Sequence, residues 1–409
     1  MVGLAAIAEL FGGNAGIEEL EAFYPIRRDC LADIPKTRFR PRVGKTLSAR
    51  RWHAAFSDDG HLDIEKVLRR IQRGGIHPSI KGFVWEFLLG CFDPNSTFDD
   101  RNQLREQRRE RYAMWKTECQ NMVPVIGSGK YITRPIITDD GQPIEGEDCH
   151  VTSAVSDKKV AHWMLFLHQI ANQAKLWDIL AIYSWVDDDI GYVQGMNDIC
   201  SPMVILLENE ADAFWCFEHA MRRLRENFRC STSSIGVQSQ LGILSQVIKT
   251  VDPKLHQHLE DLDGGEYLFA FRMLMVLFRR EFSFVDALYL WEVMWAMEYN
   301  PNIFSLYEQP DAALDSNSTQ TLHAKELKRY GKFQRKNLQN GHMDKNCALS
   351  VFLVASVLET KNRQILKDAK GLDDVVTILG EITGNLDAKK ACQNALKIQD
   401  KYLKKAKKS

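Results

Sequence analysis

The residue with the clearest chemical potential is Gln194, inside the run Asp187-Asp188-Asp189-Ile190-Gly191-Tyr192-Val193-Gln194-Gly195-Met196-Asn197-Asp198-Ile199-Cys200-Ser201-Pro202-Met203. A glutamine amide both accepts and donates hydrogen bonds, so it can orient a small polar group. Gly191 and Gly195 bracket it, and glycine serves where a backbone needs positive φ or close approach to another surface. Upstream, Leu176, Ile179, Leu180 and Tyr183 recur at i, i+3, i+4 and i+7, one face of a helix. Downstream, Ser201-Pro202 reads as the N-cap and first position of a second helix. The spacing therefore predicts a polar amide at the tip of a short loop between two packed helices, with Asp189, Gly191, Tyr192 and Gly195 as its support. An ordinary interhelical turn has the same spacing, so the pattern alone leaves both readings open.

Other chemistries find little footing. The eleven histidines form no His-Glu-x-x-His, and His256 and His258 stand apart from any cysteine, so no metal site is expected. Nine cysteines are scattered singly with no Cys-x-x-Cys, the usage of a reducing compartment rather than a disulfide framework. No Gly-x-x-x-x-Gly-Lys-Ser/Thr occurs, so the chain is not itself expected to hydrolyse a nucleotide. Lysine plus arginine number 53 against 54 aspartates and glutamates, which gives no global reason to expect a nucleic-acid partner. No apolar run reaches a membrane-spanning length, and the start, with Glu9 inside an apolar stretch, makes a poor signal peptide. The expected setting is cytoplasmic, with membranes met peripherally.

The elements that must position Gln194 read as helices almost throughout. Residues 1–62 mix an apolar segment with the basic, proline-containing run 34–42 and read as an N-terminal arm lying on the domain surface. Ile64, Val67, Leu68 and Ile71 open a helical pattern that Gly74-Gly75 closes. The charged stretch 99–121 reads as a solvated helix packing through Leu104, Tyr112 and Trp115. Residues 122–157 read as a long loop insertion, and helical pattern resumes at 160–170. Phe214, Phe217, Met221, Leu224 and Phe228 keep helical spacing with Arg222, Arg223 and Arg225 interleaved. Residues 241–251 predict a further helix halted by Asp252-Pro253, and 266–280, apolar almost all round, one buried on several sides. Arg279 and Arg280 either pair with carboxylates inside the fold or face a partner. The polar stretch 308–347 reads as a second flexible insertion, followed by apolar helices at 348–358 and 375–382. Residues 361–409 form a C-terminal helix and basic tail, read as a frayed, solvated helix end, with weak attraction to an anionic membrane as the alternative.

Three ordered blocks carry a family resemblance over residues 65–360: Gly75-Ile76-His77-Pro78 leading into Val84-Trp85, the segment 189–202, and the segment 277–295. Together they resemble the TBC-domain family of GTPase-activating proteins for Rab GTPases. The resemblance implies an all-α fold with the domain over 63–360. It implies a Rab partner in its GTP-bound form, which carries the GTP and magnesium, leaving this chain no cofactor of its own. It implies a role in vesicle trafficking, in which Gln194 matches the family's glutamine finger, inserted in trans into the nucleotide site of the GTPase. Lys81 stands where the family usually has arginine.

The family's second finger is the arginine of an Ile-x-x-Asp-x-x-Arg segment, and here this sequence departs. Counting from Ile170, Gln173 and Leu176 stand in the aspartate and arginine positions. The text after Ala171 instead resembles the helix that follows the arginine segment, as if Ile170 and Ala171 were joined across a deletion. Two expectations follow: an activator relying on Gln194, or a catalytically impaired Rab-binding scaffold.

Overall fold

The computed structural model describes residues 39–122, 170–229, 236–308, 326–339, 348–382 and 386–406. Its helices are α1 (Ala49–His53), α2 (Ile64–Gly74), α3 (Lys81–Leu88), α4 (Phe98–Met122), α5 (Ile170–Val186), α6 (Met196–Leu206), α7 (Glu210–Leu224) and α8 (Gly236–Val251). They continue as α9 (Pro253–Asp261), α10 (Phe271–Met275), α11 (Phe284–Glu298), α12 (Ile303–Glu308), α13 (Lys332–Gln339), α14 (Leu349–Asp368), α15 (Leu372–Gly380) and α16 (Ala388–Ala406). Short 3-10 turns join several of them, and among the described residues the only β features are two isolated bridges. The fold is all-α, as the periodicity and the resemblance predict. No helix among the described residues is long and apolar enough to cross a membrane.

The arrangement follows from α11. Its sequence, Phe-Val-Asp-Ala-Leu-Tyr-Leu-Trp-Glu-Val-Met-Trp-Ala-Met-Glu, has no polar stripe to leave in water, and residues 284–297 are all buried. Such a helix must be covered on every side. Here α2, α3, α13, α14 and α16 supply the cover. The Ser283 hydroxyl caps its start by accepting from Asp286 N.

Among the described residues, the one ion pair with both side chains fully buried sits on this helix. Lys81 Nζ donates to Glu292 Oε1 at 2.5 Å, with both side chains sealed from solvent. Trp85 Nε1 (3.2 Å) and Ile76 N (3.3 Å) also donate to the Glu292 carboxylate. Burial pushes Lys81 down and Glu292 up, and each opposes the other's shift. Lys81 is thus an internal strut between α3 and α11. A point-like ammonium with one carboxylate acceptor suffices there, where an arginine would need a planar two-pronged site.

Several sequence expectations are refined. Residues 39–62 contribute Phe39, Leu47, Trp52 and Leu62 to the same core as the later helices, and Phe39 N donates to Asp286 Oδ1 at 2.6 Å. The helix α4 packs through Leu104, Tyr112 and Trp115 as read, but Arg101 and Arg108 are also buried. The expected buried helix over 266–280 breaks. Only Phe271–Met275 is α-helical, Leu277 and Phe278 take positive φ (48° and 58°), and Leu268 and Phe271 are exposed. Apolar content signalled burial of Leu274, Val276 and Phe278 correctly, but a sharp turn rather than a continuous helix delivers it. Within the polar stretch 308–347, α13 is ordered because Phe333 inserts against Phe352, with ring centroids 5.7 Å apart. The expectations for 1–38, 123–157, 160–169, 309–325 and 340–347 lie outside the described residues.

Candidate functional site

The loop of residues 187–195 connects α5 to α6. Its footing matches the sequence reading, since Ile179 and Tyr183 of α5 are buried and Leu176 and Leu180 pack against the core. Its exit does not match. The helix α6 starts at Met196, with Gly195 in the N-cap position at φ 108°, and Pro202 lies inside the helix rather than at its head. Ser201 is fully buried and makes no cap. The cap signal of Ser-Pro is overridden because Met196, Ile199, Cys200 and Met203 need helical spacing to enter the core together. Gln194 therefore stands two residues before the first of α6, next to its N-cap Gly195, on a loop shorter than expected.

Both glycines are required, for different reasons. Gly191 has φ 66°, and a Cβ there would meet only Ser184 Oγ at 3.5 Å, so its need is conformational. At Gly195 a Cβ would also meet Val276 Cγ1 at 3.0 Å and Phe228 Cε1 at 3.4 Å. The loop is thus pressed between the turn after α10 and the 3-10 turn Arg225–Phe228. Its backbone closes by Gly191 N donating to Asp187 O (2.8 Å) and Met196 N to Val193 O (3.1 Å).

Gln194 is exposed, and the Tyr192 hydroxyl, itself about half exposed, donates to its Oε1 at 3.2 Å. That contact orients the amide. One lone pair of Oε1 and the amide N–H donors remain available outward.

Beneath it lies an electrostatic clamp. Arg225 Nε and Nη2 donate to the two oxygens of Asp187 (2.7 and 2.8 Å), and Nη2 also reaches Asp189 Oδ2 at 2.7 Å. Arg229 Nη2 and Nη1 grip Asp189 at 2.6 and 3.2 Å. Tyr183 OH donates to Asp187 Oδ2 at 2.9 Å. The hydrogen bonds from Arg229 and Arg225 hold the Asp189 carboxyl down at about 2, and those from Arg225 lower Asp187 as well. On the other side of Gln194, the Asp198 carboxylate, 1% exposed, accepts from Arg280 Nη2 at 2.7 Å. This decides between the two readings of the Arg279-Arg280 pair: Arg280 ties its segment to α6, and Arg279 is buried with its guanidinium over the Phe284 ring at 5.0 Å.

The structure therefore brings Asp189, Gly191, Tyr192, Gln194 and Gly195 together. Sequence reasoning missed Arg225, Arg229 and Arg280 as their partners. A signal existed in the facing charge runs, three aspartates at 187–189 against arginines at 222, 223, 225 and 229, but only the fold shows which of them meet. Gln173 and Leu176 lie within α5, where Leu176 packs against the core, so neither is displayed beside Gln194. The three arginines described around the loop, Arg225, Arg229 and Arg280, are all committed to aspartates.

Known proteins resemble this chain in sequence and in fold. Residues 78–307 match the family model described as the Rab-GTPase-TBC domain. Rab GTPase-activating protein 22 of Arabidopsis thaliana is 26% identical over 366 residues, covering 61% of this chain and 66% of that protein. TBC1 domain family member 17 of Homo sapiens is 30% identical over 270 residues, covering 65% and 40%. The chain thus spans no more than about two thirds of the first of these relatives and 40% of the second. Among solved structures, the Ypt/Rab-GAP domain of Gyp1p superposes with a TM-score of 0.53 at 16% identity, covering 86% of this chain and 97% of that one, a likeness of fold. With more than half of its length matched by the family model, and an exposed glutamine at the tip of the loop its helices brace, the chain belongs to the Rab-GTPase-TBC domain family.

Proposed function

We propose that this protein binds a GTP-loaded Rab GTPase and presents Gln194 to its nucleotide site, as a regulator of vesicle trafficking that works on the cytoplasmic side of endomembranes. The observation that supports this reading is the placement of Gln194: exposed, oriented by Tyr192, and held on a loop that Arg225 and Arg229 clamp. Phosphoryl transfer to water asks for an attacking water held in line and for charge on the transferring group to be stabilised. The glutamine amide suits the first task, accepting from the water at Oε1 and donating towards phosphate oxygens. GTP and magnesium come with the partner, and this chain contributes positioning. Asp189, Gly191, Tyr192 and Gly195 are the residues we assign to holding the finger.

For the second task, the described arginines around the loop are already engaged. Arginine fingers contribute on the order of 10³ to 10⁵ in rate, or about 4 to 7 kcal/mol of barrier. With Arg225, Arg229 and Arg280 all paired to aspartates, this chain is expected to bind its GTPase while accelerating hydrolysis far less than a two-finger activator. The second reading, a Rab-binding scaffold, is the outcome in which no acceleration remains.

Single-turnover GTP hydrolysis across a panel of Rab GTPases tests both. The comparison is between this chain, Gln194→Ala, and a version carrying an Ile-x-x-Asp-x-x-Arg segment inserted after Ile170. Strong acceleration by the restored version, abolished by adding Gln194→Ala, supports the glutamine finger. Weak acceleration by the unaltered chain that Gln194→Ala removes makes it an attenuated activator, and none makes it a scaffold. Restored acceleration that persists without Gln194 refutes the assignment.

A further inference from the structure

Charge in this protein is balanced overall, 53 basic against 54 acidic residues, yet two adjacent helices are not balanced. Helices α13 and α16 carry nine lysines and arginines and one acid, Asp400. On α16, Lys390, Lys397, Lys401, Lys404 and Lys405 are all exposed. At 100° per residue they fall within roughly 100° of its circumference. The opposite face, with Cys392, Ala395, Leu396, Gln399 and Leu403, is buried against the domain.

The sequence reading of a frayed, solvated end is therefore replaced by a docked helix with a single outward lysine stripe. Its docking is specific: Gln399 Nε2 donates to Asn337 Oδ1 at 2.8 Å, and Lys336 Nζ pairs with Asp400 at 2.5 Å, fixing α13 alongside. Lys332 and Arg335 of α13 extend the basic surface.

Little inside the fold neutralises this charge. Lys401 reaches Glu359 only at 4.0 Å, and Lys405 Nζ donates to the Thr250 carbonyl at 2.8 Å. Among the described residues Lys390, Lys397 and Lys404 have no ion-pair partner. A cluster of like charges raises its own electrostatic energy, and a polyanionic surface relieves it.

We infer that the outer face of α16, extended by α13, is a docking surface for the anionic leaflet of a membrane. Two features select a membrane over other polyanions. The stripe is built of lysines, compact hydrated charges that answer to diffuse negative potential, rather than of arginine forks that grip discrete phosphates. Among the described residues of α16 the one aromatic ring, Tyr402, is only partly exposed and packs against Phe352, so it offers no free face for the base stacking that a single-stranded nucleic-acid surface would need. With no large apolar side chain on the outer face, the contact is adsorption without insertion. It is accordingly sensitive to salt, whose screening length is about 8 Å at physiological ionic strength.

The placement leaves the glutamine loop free. Lys405 meets α8 at Thr250, its C-terminal end, while Gly195 packs on Phe228, whose neighbour Asn227 accepts from Gln240 Nε2 near the N-terminal half of α8. Those two points on α8, Gln240 and Thr250, are about 15 Å apart along the helix. The membrane contact inferred for α16 thus does not use the residues that hold the glutamine loop.

The test is co-sedimentation of the full chain with phosphatidylcholine vesicles, with vesicles containing phosphatidylserine, and with vesicles containing a polyphosphoinositide at matched charge. The variant is Lys390→Gln/Lys397→Gln/Lys401→Gln/Lys404→Gln, with the four-fold Lys→Arg variant as control. Each lysine near an anionic surface is expected to contribute about five-fold in affinity, so the glutamine variant should bind phosphatidylserine vesicles at least about ten-fold more weakly. The arginine variant should bind as the unaltered chain does, and unaltered thermal unfolding of the exposed-site variants confirms that they fold. Binding to neutral vesicles alone, full binding by the glutamine variant, or binding only to the polyphosphoinositide would each overturn the inference. So would capture by single-stranded RNA with no vesicle binding.

Discussion

Replacing Gly195 by alanine separates conformational from steric control of the glutamine loop. Its φ of 108° lies well beyond the left-handed well near +50 to +70°, and entering that half of the map costs an L-residue about 1 to 2 kcal/mol. The new methyl would also lie 3.0 Å from Val276 Cγ1 and 3.4 Å from Phe228 Cε1. Both neighbours are buried, at 2% and 1% exposure, so neither can swing aside into solvent. Overpacking of this kind costs typically about 1 to 3 kcal/mol, giving about 2 to 5 kcal/mol in total. Part of that is relieved by moving the loop, and a displacement of about 1 Å at Gln194 is enough to lose about a hundred-fold in a reaction that depends on its position. Gly191→Ala is the internal control: it pays the conformational term at φ 66° but meets only Ser184 Oγ at 3.5 Å, so about 1 to 2 kcal/mol is expected. The assay is denaturant unfolding of both variants alongside single-turnover hydrolysis by the version with the arginine segment restored. Equal destabilisation by the two alanines, or full activity of Gly195→Ala, would refute the argument that the packing of this loop sets the finger.

Other perturbations probe the frame. Lys81→Met leaves the Glu292 carboxylate buried without its cation and should cost about 3 to 5 kcal/mol in urea unfolding, whereas Lys81→Met/Glu292→Leu should recover most of it. Asp189 has its pKa depressed to about 2, so its contribution to stability is full above the ordinary aspartate value and is lost as pH falls from about 4 through 2. The difference in thermal midpoint between the unaltered chain and Asp189→Asn should therefore shrink to nothing across that window. Arg280→Ala strands the buried Asp198 carboxylate beside Gln194. It should destabilise the fold by at least about 1 to 3 kcal/mol, read by unfolding, and should lower restored hydrolysis more than Lys397→Ala on the exposed stripe of α16.

What the sequence made legible was governed by short-range periodicity and composition. The helices α5 and α4, the glycine pair at 191 and 195, and the burial of the aromatic residues in α11 all follow from i, i+3, i+4 spacing or from the absence of a polar face. What it hid was decided by distant partners. Ser201-Pro202 has the local chemistry of a helix start, but Met196, Ile199 and Met203 share one core and carry the helix back past it. The 266–280 stretch has the composition of one helix, yet packing closes a turn through Leu277 and Phe278. The clamp of Arg225 and Arg229 on Asp187 and Asp189 spans 36 to 40 residues for its Asp189 contacts, beyond the reach of any local pattern.

The wrapping of α11 also sets the order in which the chain can become a protein. Its cover comes from residues near both ends, with Phe39 hydrogen-bonded to Asp286 across 247 positions and α16 packed along the same helix. The matched segment 78–307 contains α11 but omits α2, α13, α14 and α16, four of its five neighbours. A polypeptide leaving the ribosome therefore carries a half-covered, tryptophan-rich helix, with α2 and α3 already made, until roughly a hundred further residues bring α13, α14 and α16, the kind of exposed intermediate that invites aggregation or chaperones. Expression boundaries drawn at residues 78 and 307 would remove four of the five helices that cover α11 and are expected to give less soluble material than the full chain.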